Sequence, residues 1–159
     1  MDQRCPQCGL ALPQGVPAWV RQVTVGQVMT TNPATVGPED SLRVALEALR
    51  RRHVRRLPVM LGERLVGIVA EGDLKRASPS TLSDSQDEYD RVMEQTPVSR
   101  IMVAQVLTAT EDMPLLEAVR TLQDTKFGAL PVLREGRLVG IVTDNDLLGF
   151  LGELIAQSG

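Results

Sequence analysis

The residues of this sequence best suited to chemistry form a turn that occurs twice. In the later copy, the hydroxyl of Thr143 and the carboxylate of Asp146 follow the apolar run 138–142. In the earlier copy, Asp73 stands at the matching position and Ala70 replaces the hydroxyl residue. A hydroxyl residue followed three positions later by an acid is a helix N-terminal capping box, in which both side chains satisfy free backbone donors. Capping is therefore one sufficient explanation of the motif.

Ligand binding is the second explanation of this turn. The N-terminus of a helix attracts anions, yet Asp144 and Asp146 would repel a phosphate placed directly on them. A carboxylate there suits a neutral donor, and the two adjacent hydroxyls of a ribose can both donate to one carboxylate. Thr143 could then donate a hydrogen bond to the first phosphate. The residues alone leave the cap and the ribose contact both open.

The cations that such a ligand needs are concentrated in the first copy. Residues 50–52 are three arginines that end a predicted helix, where positive charge complements the helix dipole and faces solvent. Arg55 and Arg56 directly precede the apolar strand 57–59, so we expect at least one of them to point into a cleft between the copies. The second copy has glycine and alanine at these two positions. The basic wall is therefore expected on one side only.

Cys5 and Cys8, followed by Gly9, are the only cysteines of the chain. A Cys-x-x-Cys pair before glycine suits a zinc knuckle, but structural zinc takes four ligands and the single histidine, His53, lies inside the repeat. One chain therefore supplies half of a structural zinc site. Two alternatives stay open, namely a tail with two ordinary thiols and a four-cysteine site shared across a two-fold dimer. A thioredoxin-type redox pair is less favoured because no strand precedes the cysteines.

Composition limits the classes of function. A chain of 159 residues, 43% of them hydrophobic, can build one domain with a substantial core. A net charge of -3 and only one Trp, one Tyr and two Phe argue against a nucleic-acid-binding protein. The first residues lack the pattern of a signal peptide and no apolar stretch approaches roughly 18 residues, so we expect a cytoplasmic protein without a membrane partner. No convincing nucleophile with its base is present, so we expect neither enzymatic activity nor a catalytic cofactor.

The candidate residues lie in two gapless copies of one structural unit. In the first copy Leu42, Ala45, Leu46 and Leu49 recur at helical spacing and form an apolar stripe. Two short strands around a glycine turn and a final helix complete the unit, which predicts the order β-α-β-β-α. One unit is too small to bury its sheet alone, so we expect an α/β (α+β) fold in which two units pack sheet to sheet with pseudo-two-fold symmetry. The predicted divisions are a head at 1–24, a first repeat at 25–77, a polar linker with a short helix at 78–97, and a second repeat at 98–155.

The tandem unit resembles a pair of CBS (cystathionine β-synthase) domains, also called a Bateman module. The resemblance is carried by the Leu-Pro-Val strand at 57–59 and 130–132, by the Leu-Val-Gly-Ile-Val strand at 65–69 and 138–142, and by the Thr-x-x-Asp turn. It implies a regulatory module that binds AMP, ADP, ATP or S-adenosylmethionine between the repeats and signals by conformational change. It also implies a homodimer that acts on an unidentified regulated protein.

The same resemblance assigns roles to individual residues. Asp146 would bind the ribose, Thr143 and the two arginines would meet phosphates, and the backbone of 30–35 would read the adenine. The ligand-binding residues predicted in this way are Thr143, Asp146, Arg55, Arg56, Thr30, Ala34, Thr35 and Ile141. A second cleft, expected to be weak or empty because Ala70 lacks the hydroxyl, would be lined by Asp73, Ile68, Val106 and Thr108. The alternatives are a ligand-free scaffold and nucleic-acid binding through the cysteine head and the arginine run.

Overall fold

The chain folds into two matching α/β units connected by a helix. The computed structural model describes residues 4–9, 17–80 and 85–157. The first unit contains α1 (Val25–Val28), β1 (Thr30–Thr31), α2 (Leu42–Arg52), β2 (Arg56–Leu61), β3 (Arg64–Ala70) and α3 (Glu71–Ala77). The connecting helix is α4 (Gln86–Gln95), and the second unit contains β4 (Ala109–Thr110), α5 (Leu115–Thr125), β5 (Ala129–Arg134), β6 (Arg137–Thr143) and α6 (Asp144–Gln157). Short 3₁₀ helices cover Ala18–Gln22 and Val98–Arg100. Among these described residues, no helix has both the length and the apolarity needed to cross a bilayer.

The longer helix of each unit buries the stripe that the sequence predicted. α2 begins where the Ser41 hydroxyl accepts a hydrogen bond from the backbone N–H of Val44 at 3.3 Å. Its buried side chains are Leu42, Ala45 and Leu49. The matching buried residues of α5 are Leu115, Ala118 and Leu122. Repeated spacing in the sequence has thus produced the same buried face twice.

Two β-hairpins carry the apolar strands. β2 pairs with β3 and β5 pairs with β6, both in antiparallel fashion. The hairpin turns pass through Gly62 and Gly136, whose φ angles of 61° and 79° lie in the left-handed region that favours glycine. Together with the helices, these hairpins confirm the predicted β-α-β-β-α order and the mixed α/β fold class.

The segment that precedes the long helix of each unit pairs with the sheet of the other unit. β1 runs antiparallel to β6, with Thr30 opposite Ile141. At the corresponding place in the other half, Ile68 of β3 and Val103 exchange two backbone hydrogen bonds of 3.0 and 2.9 Å. The sequence predicted packed sheets but not this exchange. Each hairpin is therefore completed by a segment from the other unit.

There are two apolar cores, each completed by residues from the other unit, since Val25 packs in the core of the second unit and Val98 in that of the first. A smaller cluster joins the two sheets. In the joining cluster Ile68, Ala129 and Ile141 are buried, and Val106 packs against them. Ile68 and Ile141 occupy matching positions of β3 and β6, so the pseudo-two-fold symmetry of the two units relates these two residues to each other. Sheet-to-sheet packing of the repeats is thereby confirmed.

α4 belongs to the core of the first unit although its sequence is polar. A short helix within the linker was predicted, and Gln86–Gln95 confirms it. Met93 of this helix is fully buried and packs in the same cluster as Leu42 and Leu49. Arg43 of α2 also forms a salt bridge with Asp90 at 2.6 Å. Arg43 forms a second salt bridge with Glu94 at 3.3 Å, so the connection is fixed against α2 by an enclosed apolar side chain and two ion pairs.

Two glycines allow the exchanged segments to approach the hairpins closely. A Cβ placed on Gly140 would lie 2.5 Å from the sulfur of Met29 and 2.9 Å from the carbonyl oxygen of Thr30. A Cβ on Gly67, the matching position, would lie 2.6 Å from the sulfur of Met102 and 3.1 Å from a backbone carbonyl oxygen. The absence of a side chain at both positions makes room for a methionine and a backbone from the opposite unit.

We therefore predict that Gly67→Ala and Gly140→Ala each lower the free energy of unfolding by about 1 to 3 kcal/mol, the usual cost of overpacking. Urea denaturation of the full chain measures this. Gly149→Ala is the matched control, because Gly149 lies in α6 with no atom within 4 Å of an added Cβ. That substitution should raise stability by up to about 1 kcal/mol through helix propensity. Wild-type stability in Gly140→Ala would contradict the close approach.

Candidate functional site

A cleft of about 590 Å³ opens where β1, the end of α2 and the start of α6 meet. This volume falls within the range of small-molecule sites, which is about 300 to 1,000 Å³. Both units contribute to its walls. The lining residues are Thr30, Thr31, Asn32, Pro33, Ala34, Arg52, His53, Val54, Arg55, Arg56, Ile141, Thr143, Asp144, Asn145, Asp146 and Leu148.

The carboxylate of Asp146 is held by donors from both units. Its Oδ2 accepts hydrogen bonds from the backbone N–H and the hydroxyl of Thr143, at 2.8 and 2.9 Å. Its Oδ1 accepts a hydrogen bond from the hydroxyl of Thr30 at 2.8 Å. The backbone N–H of Asp146 donates in turn to the Thr143 hydroxyl at 3.2 Å. The capping box is thus present at Oδ2. The donor to Oδ1 is the Thr30 hydroxyl, and a hydroxyl of a ligand could take its place.

Positive charge collects on the wall opposite this carboxylate. α2 ends at Arg52, and His53 adopts the left-handed conformation with φ 53°, which turns the chain sharply towards β2. Arg55 and Arg56 follow at the start of that strand. In the part of the chain that the structure describes, neither Arg52 nor Arg55 forms a salt bridge, and both are exposed. Two unpaired guanidinium groups therefore stand at the rim of the cleft.

The matching turn in the first unit is arranged differently. Asp73 accepts a hydrogen bond from the backbone N–H of Ala70 at 2.9 Å, which preserves the helix cap. Its other oxygen forms an ion pair with Arg76 of the same helix. A Ser or Thr hydroxyl is missing at Ala70, as the sequence indicated. The Asp73 carboxylate is therefore already paired with a cation from its own helix.

The structure brings together all but one of the residues predicted for the first cleft. Thr35 is exposed and lies outside the lining. For the second cleft, Ile68 and Val106 pack in the cluster between the sheets, and Thr108 is exposed. Sequence reasoning missed the lining residues outside the predicted segment 30–35, and these are Arg52, His53, Val54, Asp144, Asn145 and Leu148. Arg52 in particular was assigned to solvent, because the reversal of the chain at His53 is not visible in the periodicity.

Residues 25–80 and 98–153 match the sequence model of a family described as CBS domain. A CBS domain-containing protein of Dictyostelium discoideum is 35% identical to the chain over 134 residues. That alignment covers 82% of this chain and 92% of the Dictyostelium protein. The similarity therefore extends over nearly the whole of that relative.

Solved structures of CBS-domain pairs are similar to the same region. The CBS-pair protein CBSX2 of Arabidopsis thaliana, in complex with AMP, has a TM-score of 0.68 and 31% identity, covering 83% of this chain and 98% of that one. The CBS domain pair of protein MJ0100, in complex with 5′-methylthioadenosine and S-adenosyl-L-methionine, has a TM-score of 0.69 and 26% identity, covering 82% and 97%. This chain, CBSX2 and the MJ0100 domain pair therefore share the arrangement of two repeats.

The cysteine pair lies outside the matched segments. The backbone N–H of Gly9, at φ 70°, donates to the carbonyl of Cys5 at 2.9 Å and closes a tight turn. Hydrogen bonds from the backbone of Cys8 and Gln7, and from the Cys8 thiol, lower the pKa of Cys5. No group of three or more His, Cys, Asp or Glu side chains gathers as a metal site within the described ranges. One chain therefore presents two neighbouring sulfurs and no complete metal site there.

The lowered pKa predicts that Cys5 reacts as a thiolate at a lower pH than an ordinary cysteine. The rate of iodoacetamide modification, followed for each cysteine by peptide mass spectrometry, should reach half its maximum below the ordinary value of about 8.5. In denaturant the hydrogen bonds to the sulfur are lost, so the midpoint should return to about 8.5. Equal midpoints in the folded and unfolded chain would contradict the turn geometry.

Proposed function

The chain belongs to the CBS domain family, and we propose that it is a regulatory module that binds an adenosine-containing ligand in the cleft at Asp146. The candidate ligands are AMP, ADP, ATP and S-adenosylmethionine. One observation carries the proposal. A carboxylate, a hydroxyl and a one-sided wall of cations line a single cleft of suitable volume between the repeats.

The lining residues suit the separate parts of such a ligand. The Oδ1 atom of Asp146 would exchange the Thr30 hydroxyl for a ribose hydroxyl, so no buried hydrogen bond is lost on binding. The hydroxyl of Thr143, which donates to Asp146 Oδ2 in the free protein, would turn to donate to the first phosphate, while the backbone N–H of Thr143 keeps its bond to the same carboxylate oxygen. The exposed Arg52 and Arg55 would meet further phosphates, because charge-assisted hydrogen bonds to phosphate are the stronger kind.

The adenine would lie between aliphatic side chains and the backbone of 30–34. Ile141 of β6 and Val54 before β2 line the same cleft and offer apolar contact for the base. The backbone of Asn32 to Ala34 lines it too and carries donors and acceptors for the edge of the base. The structures of CBSX2 with AMP and of MJ0100 with 5′-methylthioadenosine and S-adenosyl-L-methionine support an adenosine moiety.

Signalling would follow from the shared walls of the cleft. Thr30 and Arg55 belong to the first unit, whereas Ile141 and Asp146 belong to the second. A ligand that contacts both units stabilises the arrangement in which both sets of contacts are made, and so shifts the population towards it. A ligand-free interaction module is the alternative function, and it requires that the same acid serve only as a cap.

A thermal-shift panel of AMP, ADP, ATP, S-adenosylmethionine and NAD tests the proposal. At a hundred times its dissociation constant a ligand adds about 2.7 kcal/mol, which raises the midpoint by about 5 to 10 °C for a chain of this size. The shift should be largely lost in Asp146→Ala and retained in Asp73→Ala. The second variant is the matched control, because both substitutions remove a helix cap worth about 1 kcal/mol.

Two results would contradict the proposal. If none of the adenosine ligands raises the midpoint of the wild type, the protein is not a sensor of these ligands. A full response in Asp146→Ala reduces that residue to a cap. Each shift is compared with the ligand-free midpoint of the same variant, so the loss of the cap does not enter the comparison.

We also propose that Cys5 and Cys8 are half of a structural zinc site that a second copy of the chain completes. The two sulfurs are neighbours in one turn, and structural zinc takes four ligands in tetrahedral geometry. Apolar side chains at Leu151 and Ile155 on α6 are 49% and 66% exposed, which favours contact with another copy. The homodimer and the zinc site are therefore one proposal.

Native mass spectrometry tests the shared site. The wild type should appear as a dimer that carries one zinc ion. The added mass of the zinc ion should be absent from the spectra of Cys5→Ser and Cys8→Ser. Cobalt substitution should give the intense sulfur-to-metal absorption of a thiolate site, which serine at either position removes. A dimer that carries no zinc after reconstitution, or a metal-bearing monomer, would contradict the proposal.

A further inference from the structure

Arg56 connects the cleft to the boundary between the two units. It is the first residue of β2, and its side chain is 24% exposed. The guanidinium lies over Gly128 of the second unit, where even a methyl group would overlap it. It forms a salt bridge of 3.7 Å with Asp144, the first residue of α6. The cation that lines the cleft is thus already engaged by an acid from the opposite unit.

Asp144 differs from the acid at the matching position of the first unit. That acid is Glu71, which forms a salt bridge with Lys75 one turn further along its own helix at 2.9 Å, and this hydrogen bond lowers the pKa of Glu71. Four residues after Asp144 the chain has Leu148, so α6 offers no such partner there. Asp144 instead pairs with Arg56 across the boundary, and its backbone N–H donates to the carbonyl of Gly128 at 3.1 Å.

We infer that Asp144 competes with the phosphate of the ligand for Arg56, and so determines how strongly the cleft discriminates nucleotides from nucleosides. The inference rests on the proposed function, since it concerns the same cleft. A phosphate that enters must either take Arg56 from Asp144, which leaves that carboxylate without its cation, or bind without Arg56. Within the described part of the chain neither Arg52 nor Arg55 forms a salt bridge, although the pKa of Glu71, lowered chiefly by Lys75, is lowered further by the charge of Arg55.

Replacement of Asp144 by a phosphate at Arg56 would also change the structure, whereas binding of the rest of the ligand would not. A nucleoside or S-adenosylmethionine, which carry no phosphate, would leave the Arg56–Asp144 bridge intact. A nucleotide would replace it and release the first residue of α6 from the first unit. The two kinds of ligand would therefore hold α6 against the first unit in different ways. A module that distinguishes a nucleotide from a nucleoside needs such a difference.

Isothermal titration with adenosine, AMP and ADP tests the inference in wild type, Asp144→Asn, Arg56→Gln and the double variant. Exposed ion pairs contribute up to about 1 kcal/mol, so Asp144→Asn should tighten AMP and ADP by about two- to fivefold. Adenosine affinity should stay unchanged. Glu153→Gln is the matched control, because it removes one negative charge from the same helix outside the lining of the cleft and should change none of the three affinities.

Arg56→Gln separates competition for the guanidinium from a general effect of charge. In that background Asp144→Asn should no longer tighten AMP, because the cation for which the two anions compete is absent. A gain of equal size with and without Arg56, or a gain for adenosine equal to that for AMP, overturns the inference. Failure of adenosine, AMP and ADP to bind the wild type overturns the proposed function for these ligands, and the inference with it.

Discussion

The exchange of short strands between the units is the constraint on which the rest of the structure depends. The edge of a hairpin presents unpaired backbone donors and acceptors, and burying them without partners is costly. β1 supplies partners to β6, and the segment at Val103 supplies them to β3. Because each supplier belongs to the other unit, neither sheet reaches its final form alone. The cleft at Asp146 exists only through this arrangement, since Thr30 of β1 holds the carboxylate.

The frame is symmetric, but the two repeated strand-to-helix turns are not. The turn at Thr143 keeps a hydroxyl where the first unit has alanine, and Asp146 accepts bonds from two threonines whereas Asp73 is paired with Arg76. Glycine at 128 stands where the first unit has an arginine, so a guanidinium from one side crosses into space that the other side leaves open. These substitutions are few and all lie along the same boundary. A duplicated fold has in this way acquired one cleft rich in charge at Asp146, whereas the carboxylate of the matching turn is paired within its own helix.

Sequence patterns were sufficient for the features that repeat over many residues. The helical stripe of α2 and the glycine turns followed from spacing and from the alignment of the two copies. Thr143, Asp146, Arg55 and Arg56 followed from the repeated turn and the local charge, whereas the segment 30–34 and Ile141 were implied by the resemblance to CBS domains. Features set by single residues or very short segments were not predictable in this way. β1 has two residues and hence no periodicity, Met93 is the single buried side chain of a polar helix, and the left-handed turn at His53 is a property of one residue. Each of these three features depends on contacts with a distant part of the chain, and local sequence patterns do not report such contacts.

The pairing of β1 with the second unit also bears on how the chain is assembled during synthesis. Thr30 and Asp146, which share a hydrogen bond, are 116 residues apart, so contacts of high sequence separation close the fold. Folds with such contacts form slowly, because loop-closure entropy is lost before the contact is gained. On the ribosome the first unit would emerge with β1 lacking its partner and with the edge of β3 uncovered until Val103 arrives. The nascent first half therefore exposes strand edges for as long as translation of the second half takes, and this favours exchange of segments between neighbouring chains over folding of an isolated repeat.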